Sequence, residues 1–558
     1  LRSKDPNLYY QPYKVEEWQD KIKIIPSVKD LMVNPNSVNG QRTRTEWGYD
    51  EATCCQLVYL YAEVAQRYLN HSEDFFNLYG HVRKEFLEDG YDKNSLTIGS
   101  VDIGAGTTDL MICAYKYDQK GVSKLTPQPL FWDSFYYAGD DILEELVRSI
   151  IIEGQSKEIK ALYEGPIFNA VCSTYMALSD ADFLEALNLK GKVSFANVTE
   201  AEKQELKYLY ASRETSERIH NFFGKDKALM DYKDRLIRQD FNVQISVPMG
   251  LKLLDMLRLG RKSTLLKYED FFDELQPADF ILQHFTKHFS LESNGKVYVD
   301  FDFKKIVWNF DVERISQIVV SKIEPLMKQL AIVLNTYNCD IVLLAGKPMS
   351  LKPITDLFLK YYPTSPNRLI RLNDYRVGEW YPFADGLGYF KDQKSLVAVG
   401  AMIGYMSSNG GINGFHMDMS HLKKDMVSTA NYMGLYNVVN QKVAEAILSP
   451  EQNSATFEVH GFPLFIGCKQ LVSQFYQARP IFSLDLADDV ELSTISLPLR
   501  VSVVRNYSQD KEVLKIVSAV DATGKPVSMQ KLRFGVQSLA SDGAYWLDKG
   551  EFVLSING

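Results

Sequence analysis

The pattern of apolar and polar positions changes its period several times along the chain, and each change predicts an element. Residues 49–66 have the length and spacing of a buried helix, whereas residues 1–45 show weak periodicity and a loop-like Val-Asn-Pro-Asn-Ser-Val-Asn-Gly run at 33–40. After a polar, helical-looking insertion, residues 96–103 read as a strand, 104–106 as a turn and 110–117 as the returning strand. A further strand at 131–136 leads through Ala-Gly-Asp-Asp at 138–141 into a helix over 142–150. Residues 151–310 are mixed, with a helix over 183–189 and a period-two strand over 296–303, and read as an inserted α+β subdomain. An amphipathic helix runs from Asp311 towards Leu334; the apolar run at 341–345 that follows is short enough for a buried strand, which Gly346 breaks. A second helical stretch at 394–406 ends at Ser-Ser-Asn-Gly-Gly-Ile-Asn-Gly over 407–414, the best linker in the chain. Beyond residue 455, short alternating runs punctuated by Thr523-Gly524, Asp542-Gly543 and Lys549-Gly550 predict a β domain.

Composition narrows the class. A chain of 558 residues, 46% of them hydrophobic, can fill more than one core, so two or three domains are expected. The net charge of −9 gives no broad electrostatic reason to hold nucleic acid or anionic lipid, and no nucleic-acid partner is expected. Six cysteines (Cys54, Cys55, Cys113, Cys172, Cys339 and Cys468) show no Cys-x-x-Cys spacing, which argues against a zinc site and a disulfide framework and fits a reducing cytoplasm. No apolar run reaches the roughly 18 to 20 residues of a membrane helix, and the polar opening lacks a signal peptide's apolar core. That opening also lacks an initiator methionine, so a piece of a longer protein is expected.

The chemistry concentrates in Asp-Ile-Gly-Ala-Gly-Thr-Thr-Asp-Leu at 102–110. Phosphates need backbone N–H donors at close range, and Gly104 and Gly106 allow that approach because no Cβ intervenes. Asp102, just before the turn, is placed to hold Mg²⁺, and the hydroxyls of Thr107 and Thr108, just after it, to meet a terminal phosphate. The bland alternative is a tight hairpin turn and nothing more. Other features favour bland readings. His284 and His288 have helical spacing without the glutamate of a zinc-protease motif, Gly346-Lys347 lacks the upstream glycine of a P-loop, and Cys54 and Cys55 sit on an apolar helix.

The hairpin resembles the second phosphate motif of the actin, sugar-kinase and heat-shock-chaperone ATPase superfamily, where Asp-x-Gly-Gly-Gly-Thr-x-Asp is common. Other segments resemble that superfamily in the right order. Residues 50–57 resemble the helix start that carries the acid near the attacking water, which falls on Glu51. Ala-Gly-Asp-Asp-Ile at 138–142 is similar to the segment opening the next helix beside the nucleotide, at Gly139 and Asp140. Residues 340–353 are similar to the adenosine motif, with Gly346 and Lys347 as neighbours of the nucleotide, and 396–401 to the second connecting helix. The resemblance, over roughly residues 46–406, implies an α/β fold of actin-like (ribonuclease H-like) lobes that binds ATP and Mg²⁺. Three departures stand out. Ala105 replaces the middle glycine, so it must accept a φ compatible with a Cβ or be strained; Ala345 replaces the first glycine of the adenosine turn; and no first phosphate motif precedes the rest. The first lobe is therefore expected to be incomplete, with its missing part upstream of Leu1.

The division that follows takes 1–45 as a remnant of the upstream lobe, 46–95 as connecting helix and insertion, and 96–150 with 311–393 as the nucleotide-binding lobe. Residues 151–310 are the insert, 394–406 the second connecting helix, 407–454 a linker region and 455–558 the β domain. Within the superfamily the chain resembles the SrfB-type family of bacterial virulence factors, on Glu-Trp-Gly-Tyr-Asp-Glu at 46–51, the hairpin, Gly-Lys-Pro-Met-Ser at 346–350 and the long β-rich tail. Three functional classes follow: an ATP-driven conformational switch whose β tail binds a protein partner, a non-catalytic nucleotide-binding scaffold of a multiprotein effector system, and a small-molecule kinase, disfavoured because no substrate-pocket motif stands out. The actin resemblance also allows self-association.

Overall fold

The computed structural model describes residues 51–118, 123–135, 137–154, 162–224, 232–273, 276–390, 392, 394–419, 432–437, 442–449, 451–469, 479–487, 490–508, 511–536 and 546–556. The stretch 1–45, read above as part of an upstream lobe, lies outside them.

Helix α1 (Glu51–Leu60) is apolar all round, and every residue after Glu51 is buried, the only stable place for such a helix. It runs on as a π turn, Tyr61–Arg67. Strands β1 (Leu96–Ile103), β2 (Thr108–Asp118) and β3 (Ser123–Phe135) form an antiparallel meander, and β3 is far longer than the six residues its sequence suggested. Helix α2 (Gly139–Leu146) continues as the π segment Val147–Ile152. Asp311 caps α3 (Val312–Thr336) by accepting from the amides of Glu313 and Arg314 at 3.0 and 3.2 Å. Next come β4 (Ile341–Ala345), α4 (Lys352–Tyr361), β5 (Leu369–Arg371), α5 (Ser395–Ser408) and β6 (Phe415–Met417).

These strands make one six-stranded sheet, ordered β6-β3-β2-β1-β4-β5, with β4 parallel to β1 and β5 parallel to β4. Alternation along each strand sends Val101, Ile103, Leu110 and Leu344 to the face covered by α2, α3 and α4, and Ile98, Met111 and Leu343 to the face covered by α1 and α5. Both faces are buried, so the fold is a mixed α/β one with helices on either side of the sheet. The helices α1 and α5 touch backbone to backbone: a Cβ on Gly400 would lie 2.4 Å from the carbonyl oxygen of Cys54.

The stretch 151–310 is mainly helical, with two short two-stranded ribbons. Its predicted strand at 296–303 shortens to Lys296–Val299, and Phe303–Lys305 forms a 3-10 turn instead. Within the stretch read as linker, 407–408 finish α5, and β6 pairs in parallel with β3. The β-rich part starts earlier than expected, at Tyr432–Asn437, and comprises a five-stranded and a three-stranded sheet around their own core of Met433, Leu448, Phe457, Val501 and their neighbours. Its predicted end is also different: Trp546, Phe552 and Ile556 belong to the core of the insert and α3, not to the β-rich core.

Candidate functional site

The hairpin turn between β1 and β2 stands at the end of the sheet where β1 and β4, being parallel, both finish. In open α/β sheets this end, between strands whose connections diverge, is where ligands bind. From β1 the chain turns straight back into β2, whereas from β4 it passes into α4.

Three of the predicted segments meet there. The amides of Gly139 and Asp140, opening α2, donate to the carbonyls of Gly104 and Ala105 at 3.0 and 2.7 Å. Gly346 follows β4 at φ +92°, and a Cβ on it would lie 2.0 Å from the carbonyl oxygen of Ile103. A Cβ on Gly139 would in turn lie 3.1 Å from the ring of Pro348. The hairpin turn, the start of α2 and the 346–348 turn are thus locked together by backbone contacts that only glycine permits at Gly346.

At the tip, Ala105 and Gly106 are exposed. Gly104 N–H donates to Thr107 O at 2.9 Å, closing the turn, while among the described residues no carbonyl accepts from the amides of Ala105, Gly106 or Thr107. Ala105 is not among the residues with positive φ, so the alanine in place of a glycine carries no backbone strain. The two threonines part company. Thr107 is half-buried at the tip, but Thr108 is fully buried and donates its hydroxyl to Tyr137 O at 2.7 Å, tying β2 to the approach of α2.

Asp102 lies half-buried on β1, directly opposite Asp109 on β2 and beside Ala345 on β4. Opposed residues of an antiparallel pair point to the same face, so the two carboxylates share one side of the hairpin, an arrangement that repels unless positive charge is supplied. Asp109 was not singled out in the sequence; only the register reveals it. The helix α1 runs against β1 on that same face. Ser100 Oγ donates to Ala52 O at 2.7 Å, and Gln56, completely buried, donates to Ser100 Oγ at 2.8 Å and Met111 O at 3.0 Å while accepting from Tyr115 OH at 2.6 Å. These contacts point the N-terminus of α1, with exposed Glu51, towards the end of β1 that carries Asp102, where the helix dipole also favours negative charge.

One further residue arrives from an element with no chemical signature. Asn373, just after β5, donates to Gly346 O at 3.4 Å. Lys347 is exposed on the same turn. Asp141 folds back to accept from the amide of Ala138 at 2.8 Å, and burial pushes its carboxyl above the ordinary aspartate range against that hydrogen bond. Asp141 is therefore a helix cap.

Among the described residues no group of three or more His, Cys, Asp or Glu side chains is assembled, and His284 and His288 have separate partners, Asp234 and the carbonyl of Arg218. No helix among them is long and apolar enough to cross a membrane. No curated protein matches the chain. The family described as Virulence factor SrfB matches residues 13–166 and 197–553, most of the chain, and on that match the chain belongs to the SrfB family of virulence factors.

Proposed function

We propose that this chain is an actin-like ATP-binding module of a virulence-associated protein, a conformational switch whose β-rich part engages a protein partner. The observation that carries the reading is the convergence of the hairpin tip, the start of α2 and the Gly346 turn at the end of β1 and β4, with three amides at the tip unspent on other carbonyls. Successive free amides suit phosphate oxygens, and the opposed Asp102 and Asp109 suit a divalent cation that shares its remaining ligands with water and phosphate.

In this reading Asp102 would hold Mg²⁺ and the amides of Ala105, Gly106 and Thr107 the phosphates, while Gly139 and Asp140, whose own amides fix the tip, would position that phosphate site and Gly346 with Lys347 would border the nucleoside end. Bound Mg²⁺ would supply charge neutralisation on the transferred phosphate. Glu51 would orient a water for attack and accept its proton, with α1 bolted to β1 through Gln56 and Ser100 so that the carboxylate keeps its place. Movement of the helices on the two faces of the sheet would be the output.

Calorimetric titration with Mg·ATP and single-turnover hydrolysis test it. Asp102→Ala is expected to weaken Mg·ATP binding and abolish hydrolysis; Glu51→Ala is expected to keep binding and slow hydrolysis about 10²- to 10⁴-fold. Unchanged turnover in both variants would remove the site assignment. One observation favours a second reading, a nucleotide-binding scaffold without turnover: the Thr108 hydroxyl is committed to Tyr137 and buried, so one of the two predicted phosphate hydroxyls is spent on structure. Tight Mg·ATP binding with no hydrolysis in the unaltered protein would select it.

A further inference from the structure

The last described stretch, 546–556, leaves the β-rich part and packs on the helical insert. Phe552 is 2% exposed and its amide donates to Phe223 O at 2.8 Å, while Asn242 Nδ2 donates to Trp546 O at 3.1 Å. Arg238, itself buried, meets Glu551 at 3.1 Å. The firmest grip is that of Glu153, whose side chain is 0% exposed. Its carboxylate accepts from the amide of Ser555 at 2.5 Å and from the Ser555 hydroxyl at 2.6 Å, and Arg148 closes on it at 2.5 Å. Arg148 also donates to Ser555 Oγ at 2.8 Å. Losing the tail would strip the Glu153 carboxylate of its bonds from the Ser555 amide and hydroxyl, and a buried acceptor left without its donors is costly.

Glu153 directly follows the π segment that prolongs α2. Residues 139–152 therefore form one continuous rod about 20 Å long. Its first two amides hold the carbonyls of the phosphate hairpin, and the residue after its last turn holds the tail. A second tail anchor, Asn242, opens another π segment, Asn242–Ser246. Such turns carry a surplus residue that is tolerated mostly where function uses it. The rod has little slack: the helix Val247–Arg258 crosses it so closely that a Cβ on Gly250 would lie 2.6 Å from Leu143. Close-packed elements pass a displacement on instead of absorbing it.

We infer that the tail 546–556 is coupled to nucleotide occupancy at the hairpin through the rod 139–152. This rests on the nucleotide reading above. Coupling between two sites is reciprocal, so whatever factor ATP exerts on the tail, the tail exerts on ATP affinity.

Amide hydrogen exchange at Phe552 and Ser555, with and without saturating Mg·ATP, tests this beside calorimetric titration of the same protein. Mg·ATP is expected to slow both amides about tenfold, and Ser555→Ala, a small change expected to leave the fold intact, to weaken Mg·ATP binding by a comparable factor. Glu153→Gln is expected to lose the ATP-dependent protection. Absence of any Mg·ATP binding overturns the nucleotide reading and this inference together. Binding with unchanged exchange at both amides overturns the inference alone.

Discussion

Gly346 shows how a single residue holds the site together. Its φ of +92° is one that side chains rarely adopt, and a Cβ would sit 2.0 Å from the oxygen of Ile103, a backbone atom that cannot swing away. Gly346→Ala is therefore expected to cost about 2 kcal/mol or more and to part the turn from the hairpin, which urea denaturation would read as a lowered midpoint with an unchanged slope. The glycine was legible as a strand breaker, but not its contact with Ile103, which is 243 positions away and comes from the parallel pairing of β1 with β4. Thr107 and Thr108 make the same point in reverse. They are adjacent and chemically alike, yet the first strand position turns inward, so only one keeps its hydroxyl near the tip. The strain considered for Ala105 does not arise, because the turn is built at negative φ there.

At the scale of elements, strong periodicity translated directly. The strands at 96–103 and 341–345 fall where the pattern placed them: the second is apolar throughout, as a strand buried on both faces tends to be, and the first ends at a glycine turn. Elements defined by a distant partner did not: β6 is three residues long and exists because β3, some 290 residues earlier, offers it an edge. The helix Asp279–Phe289 carries a pH prediction. Its His288 is half-buried with Nε2 on the Arg218 carbonyl at 2.8 Å, and the loss of solvent around it holds the imidazole below its usual pKa. Below about pH 6.5 the unfolded chain takes up a proton that the folded one refuses, so stability is full above that pH and is lost as pH falls through it. Urea unfolding at roughly pH 7.5 and pH 5 should show a smaller loss in His288→Gln than in the unaltered protein; parallel losses would exclude His288 as a source.

At the scale of the whole molecule, one face of the sheet shares its core with the insert and the other is covered by α1 and α5, whereas the β-rich part has a core of its own. Scanning calorimetry should accordingly resolve more than one unfolding transition, and a single one whose van't Hoff and calorimetric enthalpies agree would contradict that division. The tail complicates the picture, since Phe552 and Trp546 return to the insert after the β strands. Alternating apolar residues near the C-terminus marked a β domain, but nothing local distinguished a tail that docks elsewhere. By itself the sequence determined the glycine-turn hairpin, the main strands and buried helices, the acidic character and the family, because periodicity, turn chemistry and motif spacing are local properties of the chain. Only the tertiary structure decided that Asp109 faces Asp102, that Thr108 is spent on Tyr137, and that Glu153 holds Ser555. Each depends on register or on packing between segments remote in sequence, where the free energy comes from contacts that no local pattern encodes.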